Sequence, residues 1–342
     1  MRSETLDLAL VEAAFQRRLP QFQGPLQVRK TPTGQSNPTY ILTGASGTYV
    51  LRRKPDGVLL KSAHAVDREY RVMTALRDTD LPVPRTYYLC EEEAEIGAVY
   101  FVMDYVPGRS FLDPRTPELS VEERRAVYDS MNLGRARLHR LDPVALGLED
   151  YGKSGNYFAR QLSRWSRQYE ASQTEELPDM VELERWLQEN LPTEEGPTRL
   201  VHGDWRIDNL IFAPQSPELV AVLDWELSTL GNPLADLGTQ LMQWSMPTGE
   251  DGRGLEGVNR RELGIPENAE YVERYAERAG LNSVPEMSFP VAFAFYRMAG
   301  IVQGVKKRAI DGNASNPEQA FKMGEYVPVF ARKAIRFITE NV

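Results

Sequence analysis

The sequence predicts an α+β fold in which a small strand-rich N-terminal lobe precedes a larger helical one. Three observations predict it. Short apolar runs alternate with Gly- and Pro-containing turns through the first hundred residues. After Pro107-Gly108 the apolar residues recur at helical spacing. Between those helices lies one polar loop, within Leu200–Phe212, with an apolar run on each side. At 342 residues and 42% hydrophobic, the chain is long enough to bury a core in each part. We expect the lobes to be residues 1–106 and 107–342.

Leu6, Leu10, Ala14 and Phe15 share a helical face, which predicts a leading helix over 6–19. Strands are expected at 27–30, 39–43 and 48–52, with turns over 32–38 and 44–47. Val66, Tyr70, Met73 and Leu76 predict a helix over 62–77, and Pro82 and Pro84 mark its exit. Two further strands, near 85–89 and 98–104, complete five. Ser120 with Glu123 is a capping box that opens a helix running to about His139. Helices follow at 157–171, 180–190, 234–244, 268–278, 291–310 and 317–339. Residues 246–266, rich in Gly, Pro and charge, read as a surface excursion.

Composition removes several classes. No apolar run reaches transmembrane length, so no membrane partner is expected. The N-terminal residues lack a charged-then-apolar signal pattern, and a single cysteine, Cys90, suits a reducing cytosol. A net charge of −9 argues against nucleic acid, which needs a basic face to displace counterions. His64, His139 and His202 are too dispersed for zinc, so a metal here should be magnesium on oxygen ligands.

The loop carries the chemistry. His202 stands two residues before Asp204, Asn209 five after it, and Asp224 ends a second apolar run, Leu219–Leu223. Phosphoryl transfer needs a carboxylate to accept the acceptor hydroxyl's proton, and oxygen ligands to hold magnesium on the phosphates. Asp204 suits the first task; Asn209 and Asp224 suit the second. Any one of them alone would be an ordinary turn or cap residue. The ordered set reads as the centre of a kinase. His202 is expected to brace the loop, His139 to be structural, and Asp236 to cap a helix and brace the loop as well.

Gly34-Gln35-Ser36-Asn37-Pro38-Thr39-Tyr40, Glu69, the His202–Asn209 loop, Asp224-Trp225-Glu226 and Pro233-Leu234-Ala235-Asp236-Leu237 together resemble the aminoglycoside phosphotransferase family. Tyr49–Pro55, Ser62–Ala65 and Pro82–Pro84 are similar to the branch found as the kinase domain fused to some acyl-CoA dehydrogenases. The resemblance implies a protein-kinase-like bilobal fold with ATP in the cleft, a five-stranded antiparallel N-lobe carrying one helix, and a mostly helical C-lobe. It implies that Asp204 is the catalytic carboxylate and that Asn209 and Asp224 ligate Mg2+. Ser36 and Asn37 would lie in the turn that covers the triphosphate. Glu69 would hold the phosphate-binding cation, which the resemblance assigns to Arg52 where many relatives have lysine. Strand alternation puts Arg52 and Lys54 on one face and Arg53 on the other. Met103–Gly108 would be the hinge, with the Asp104 carbonyl and the Val106 N–H facing adenine, since Pro107 has no N–H to give.

For the acceptor, Arg160, Arg164 and Arg167 fall at i, i+4 and i+7 of one helix. They are either a solvated basic face or a site for an anionic acceptor such as a hydroxy acid or hydroxyacyl-CoA. A cationic aminoglycoside is the alternative acceptor, and a non-catalytic nucleotide-binding scaffold is the alternative from another class.

Overall fold

The computed structural model describes residues 6–31, 37–55, 65–193, 196–249, 253–313 and 316–340. They pack as two compact units, Met1–Ser110 with Asn209–Ser228, and Phe111–Asp208 with Thr229–Val342. This division departs from lobes of 1–106 and 107–342, and backbone hydrogen bonding gives the reason. The hairpin Leu210–Phe212/Leu219–Val222 exchanges bonds with Arg109 (2.8 and 2.9 Å) and donates from Val222 to the Pro82 carbonyl (2.9 Å). Residues 209–228 therefore belong by packing to the first unit.

In that unit, α1 (Leu8–Arg18) starts at Asp7, whose carboxylate accepts from the Ala9 and Leu10 N–H groups. β1 (Gln27–Lys30), β2 (Thr39–Gly44), β3 (Gly47–Arg53), β4 (Thr86–Cys90) and β5 (Tyr100–Asp104) form one antiparallel sheet in the order β1-β2-β3-β5-β4. α2 (Val66–Leu76) lies between β3 and β4 in sequence and buries Val66, Val72, Met73 and Leu76. The core on the α1 side is aromatic: Phe15 meets Phe22 and Tyr49 edge-on at centroid distances of 5.3 and 5.5 Å. All five expected strands are present within two residues of their expected bounds. The expected start of α2 at Ser62 falls outside the described residues.

The second unit is helical. α3 (Val121–Arg140) opens with the expected capping box, both of whose bonds are formed. It is followed by α4 (Tyr157–Ser172), α5 (Pro178–Glu189), α6 (Pro233–Trp244), the single turn α7 (Arg260–Leu263), α8 (Asn268–Ala279) and α9 (Ser288–Ile310). α9 is the central packing element, touching α4, α5 and α6 and the last two helices. The helix expected over 317–339 is two helices, α10 (Pro317–Gly324) and α11 (Val327–Glu340). Pro328 cannot donate to a preceding turn, so it fits the first turn of a new helix and not the middle of a long one. Gly324 ends α10 pressed on α9, where a Cβ would stand 2.7 Å from Lys306 side-chain carbons. Among the described residues no helix is long and apolar enough to cross a membrane.

Candidate active site

The loop after strand Arg199–Val201 is held from below by one buried carboxylate. Asp236, in the first turn of α6, accepts from the His202 N–H at 2.6 Å and the Gly203 N–H at 2.7 Å. Gly203 takes φ +84°, a left-handed conformation that glycine adopts without steric penalty. His139 Nε2 lies 3.3 Å from the same carboxylate, and His139 Nδ1 lies 2.8 Å from the Tyr275 hydroxyl. Burial pushes the His139 imidazole down, so the neutral ring donates from Nε2 and accepts at Nδ1. Burial alone would raise Asp236, but these donors and the nearby His202 and Arg135 outweigh it and hold the carboxyl at about 2. The expected bracing role of Asp236 is thus a matter of three hydrogen bonds. The His202 ring accepts from the Asp204 N–H at 3.2 Å, which makes it a loop brace too.

Asp204 sits at the head of a charge chain that sequence reading did not single out. Arg206 Nε is 3.2 Å from Asp204 Oδ1, and its Nη2 is 3.3 Å from Asp208 Oδ2. Asp208 also binds Arg253, from the segment expected to be a surface excursion. The two-residue spacing of Asp204, Arg206 and Asp208 was visible in the sequence; their convergence needs the loop's fold.

In the first unit, β3 presents Arg52 to α2, and its guanidinium forks between acids. Nε is 2.7 Å from Glu69 Oε2, and Nη2 is 2.6 Å from Asp224 Oδ1 and 3.9 Å from Glu226 Oε2. Burial pushes Glu69 up to about 7; Arg52 and the Trp225 N–H pull the other way. Arg53 instead donates to the Lys54 carbonyl, while Lys54 lies 3.6 Å from Asp67. Arg52 is therefore the cation paired with Glu69, the residue that the resemblance assigns; alternation alone leaves Lys54 on the same face. Asp224 has φ +62°, one of three non-glycine residues in that region among those described. That left-handed conformation, uncommon outside glycine, turns the Asp224 carboxylate towards Arg52. The Leu223 N–H donates to the Asn209 carbonyl at 2.9 Å, which sets Asn209 and Asp224 at adjoining ends of the hairpin. Asn37 Nδ2 reaches Glu226 at 3.4 Å, and its buried Oδ1 has no partner. Ser36 lies outside the described residues. At the end of β5 the Asp104 carboxylate accepts from Tyr87. Val106 follows in an irregular segment.

A cavity of about 440 Å³ lies within the second unit. Met131, Met242, Met246, Met298 and Met323 line it, half of the chain's ten methionines. The loop after strand Arg199–Val201 contributes Arg206, Ile207 and Asp208, and the 246–266 segment contributes Arg253. Asp208 is the one carboxylate of the lining among the described residues, and it is already paired with two arginines.

Arg160, Arg164 and Arg167 do not line this cavity. Arg160 donates to the Ser154 and Lys153 carbonyls, Arg164 stacks on Trp165 at 5.5 Å, and Arg167 donates to Ser163. Each serves its own helix or the loop before it. Arg164→Glu is accordingly expected to change the KM for an anionic acceptor by less than about threefold, since exposed charges contribute under ~1 kcal/mol. Steady-state kinetics in moderate salt check this, and a tenfold rise would return the trio to the acceptor site.

Residues 27–285 match the profile described as the phosphotransferase enzyme family. Over 319 residues the chain is 42% identical to acyl-CoA dehydrogenase family member 10 of Mus musculus, covering 93% of this chain and 30% of that protein. It is 40% identical over 341 residues to family member 11 of Gallus gallus, covering 98% and 44%. The chain thus spans less than half the length of these relatives. A solved structure from Ralstonia eutropha, provisionally named an aminoglycoside phosphotransferase, superposes with a TM-score of 0.89 at 43% identity, covering 99% of this chain and 100% of that one. Macrolide 2'-phosphotransferase from Brachybacterium faecium shares the fold at a TM-score of 0.62 and 18% identity, with 93% and 97% covered. The loop around Asp204 and the five-stranded sheet carrying Arg52 are therefore features of a shared kinase-like architecture, and the chain belongs to the phosphotransferase enzyme family.

Proposed function

We propose that this chain is an ATP-dependent small-molecule kinase whose acceptor is a metabolite hydroxyl on a hydroxy acid or hydroxyacyl thioester. The observation that carries this reading is the second unit's pairing of a braced Asp204 with an apolar cavity. Asp204 takes the proton of the acceptor hydroxyl as its oxygen bonds the γ-phosphorus and the bond to the bridging oxygen of ADP breaks. Asn209 and Asp224 both offer oxygen from adjoining hairpin ends, the donor type magnesium prefers, so these residues fit that ion. Bound there, it would neutralise phosphate charge. Arg52, held by Glu69, supports the phosphates; Asn37 covers them; the Asp104 carbonyl and Val106 N–H serve adenine.

The cavity's chemistry supports the acceptor class. Polycationic aminoglycosides call for clustered carboxylates, whereas this lining is methionine-rich and offers one carboxylate already bound to Arg206 and Arg253. Thioether side chains suit flexible apolar ligands. The relatives' names, acyl-CoA dehydrogenase family members, support an acyl-type acceptor as well.

The test is ATP consumption with magnesium against hydroxy acids, hydroxyacyl-CoAs, aminoglycosides and amino alcohols. Turnover is expected with the first two groups. Preference for aminoglycosides would replace the acceptor assignment, and no turnover with any would favour a nucleotide-binding scaffold. Within the phosphate site, Arg52→Lys is expected to raise the KM for ATP about tenfold or more and Arg53→Lys far less. Lysine keeps the charge but loses the fork, and a charge-assisted contact contributes roughly 1.5–3 kcal/mol. Equal effects would mean that Arg52 does not face the nucleotide.

A further inference from the structure

At the inner end of the cavity the chain keeps hydrogen-bond donors that its own fold does not use. Arg135, on α3, is fully buried and has no ion pair among the described residues. Its Nη2 donates to Gln240 Oε1 and, at 3.4 Å, to the Trp205 carbonyl in the catalytic loop. Its Nε and Nη1 have no hydrogen-bond partner; the rings of Trp205 and Tyr271, at 5.6 and 5.9 Å, face the cation instead. Burying a guanidinium is costly on general grounds, and the Asp236 carboxylate, one turn before Gln240 on α6, offsets part of that cost from nearby without forming an ion pair.

Gln240 carries this charge to the cavity. It stands one turn after Asp236 on α6, is 1% exposed, and lines the cavity wall. Because its oxygen faces Arg135, its amide Nε2 faces away, with the Met131 sulfur at 3.8 Å as acceptor. A thioether is a weak acceptor, so a ligand oxygen would be a better partner for an amide polarised by a neighbouring cation. The buried Tyr271 hydroxyl lies beside it, close enough to interact with the Gln240 amide, though not at full hydrogen-bond geometry. The remaining inner wall, Met131, Met242, Trp244 and Val302, is buried and largely apolar. Leu112, Lys322, Met323 and Arg253 are the exposed rim.

We propose that Gln240, oriented by Arg135, is a specificity-determining residue that receives a carboxylate or acyl-carbonyl oxygen of an aliphatic acceptor at the inner end of the cavity. The inference rests on the acceptor reading above but concerns one contact within it. The Arg135 charge, which Asp236 offsets from nearby without an ion pair, is offset further when such an oxygen binds. An ammonium group placed there would meet a cation and a donor, both repulsive.

Octanoate, which has no hydroxyl to phosphorylate, serves as a probe that does not depend on turnover. Calorimetry on the wild-type chain is expected to show octanoate binding and no comparable binding of octylammonium. Gln240→Glu keeps the side-chain shape and gives Arg135 a counter-ion, so the Tm is expected to stay level or rise. Octanoate affinity should nevertheless fall at least about tenfold, with ADP affinity unchanged. Gln240→Met, which removes the amide without adding charge, provides the same reading should the glutamate variant fold poorly. Octanoyl-N-acetylcysteamine separates the two oxygen sources: a larger loss for octanoate assigns the carboxylate, and a larger loss for the thioester assigns the carbonyl. Equal octanoate affinity in wild type and both variants, or no octanoate binding at all, would overturn the proposal and leave the kinase reading standing. Gln240-dependent octanoate binding with no phosphorylation of any hydroxy acid would instead remove the kinase reading and keep this contact.

Discussion

Asp204→Asn is expected to lower kcat on the true acceptor by about 10²–10⁴-fold, the range that a positioned general base contributes. Nucleotide affinity should stay near that of the wild type. Asparagine keeps the size of the side chain but cannot take the hydroxyl proton. It also loses the ion pair with Arg206, which sits 3.2 Å from Asp204 Oδ1. That second loss is the weaker one, because Arg206 retains Asp208 at 3.3 Å. The phosphate and adenine groups proposed above all lie in the other packing unit, so a nucleotide titration should register little. Single-turnover measurement of phosphoryl transfer, beside ADP binding by calorimetry, checks both halves. Wild-type transfer in the variant would remove Asp204 from the reaction.

Asp236→Ala is expected to destabilise the fold by about 3–5 kcal/mol, the usual effect of removing one partner from a buried charged network. The His202 and Gly203 N–H groups and His139 Nε2 would each lose an acceptor. A buried donor left unpaired costs roughly 1–3 kcal/mol. Chemical denaturation gives the stability loss directly. Whatever fraction folds should show a reduced kcat, since the two amides fix the start of the loop that carries Asp204. A loss below about 1 kcal/mol would mean that the network does not hold the loop. The pH dependence has a definite sign. Asp236 has a folded pKa of about 2, below its ordinary value of 3.8, so its contribution is present above the unfolded value and disappears as pH falls through the folded one. The wild-type chain should therefore lose stability on acidification between those limits more steeply than Asp236→Asn does.

Local patterns were legible wherever one residue type has one physical use. Ser120 and Glu123 at capping-box spacing open α3 because the first turn has N–H groups that nothing else satisfies. Alternation along β3 separates Arg52 from Arg53 because successive side chains leave opposite faces. Helical spacing alone misjudged 317–339, where Pro328 interrupts a pattern that otherwise continues. It also singled out Arg160, Arg164 and Arg167, because a shared helical face can equally be a solvated one.

The sequence by itself determined the α+β class, the five strands, and the order of Asp204, Asn209 and Asp224, because these depend on neighbours along the chain. Tertiary structure alone decided where the proposed acceptor cavity lies and what lines it. Met131, Gln240, Arg253, Met298 and Met323 come from α3, α6, the 246–266 segment, α9 and α10, and no spacing relates them. The same holds for the Arg135–Gln240 pair, 105 residues apart in the chain. A buried cation and an amide at that separation carry no sequence signature, since it is burial that removes water as their partner and makes each depend on the other.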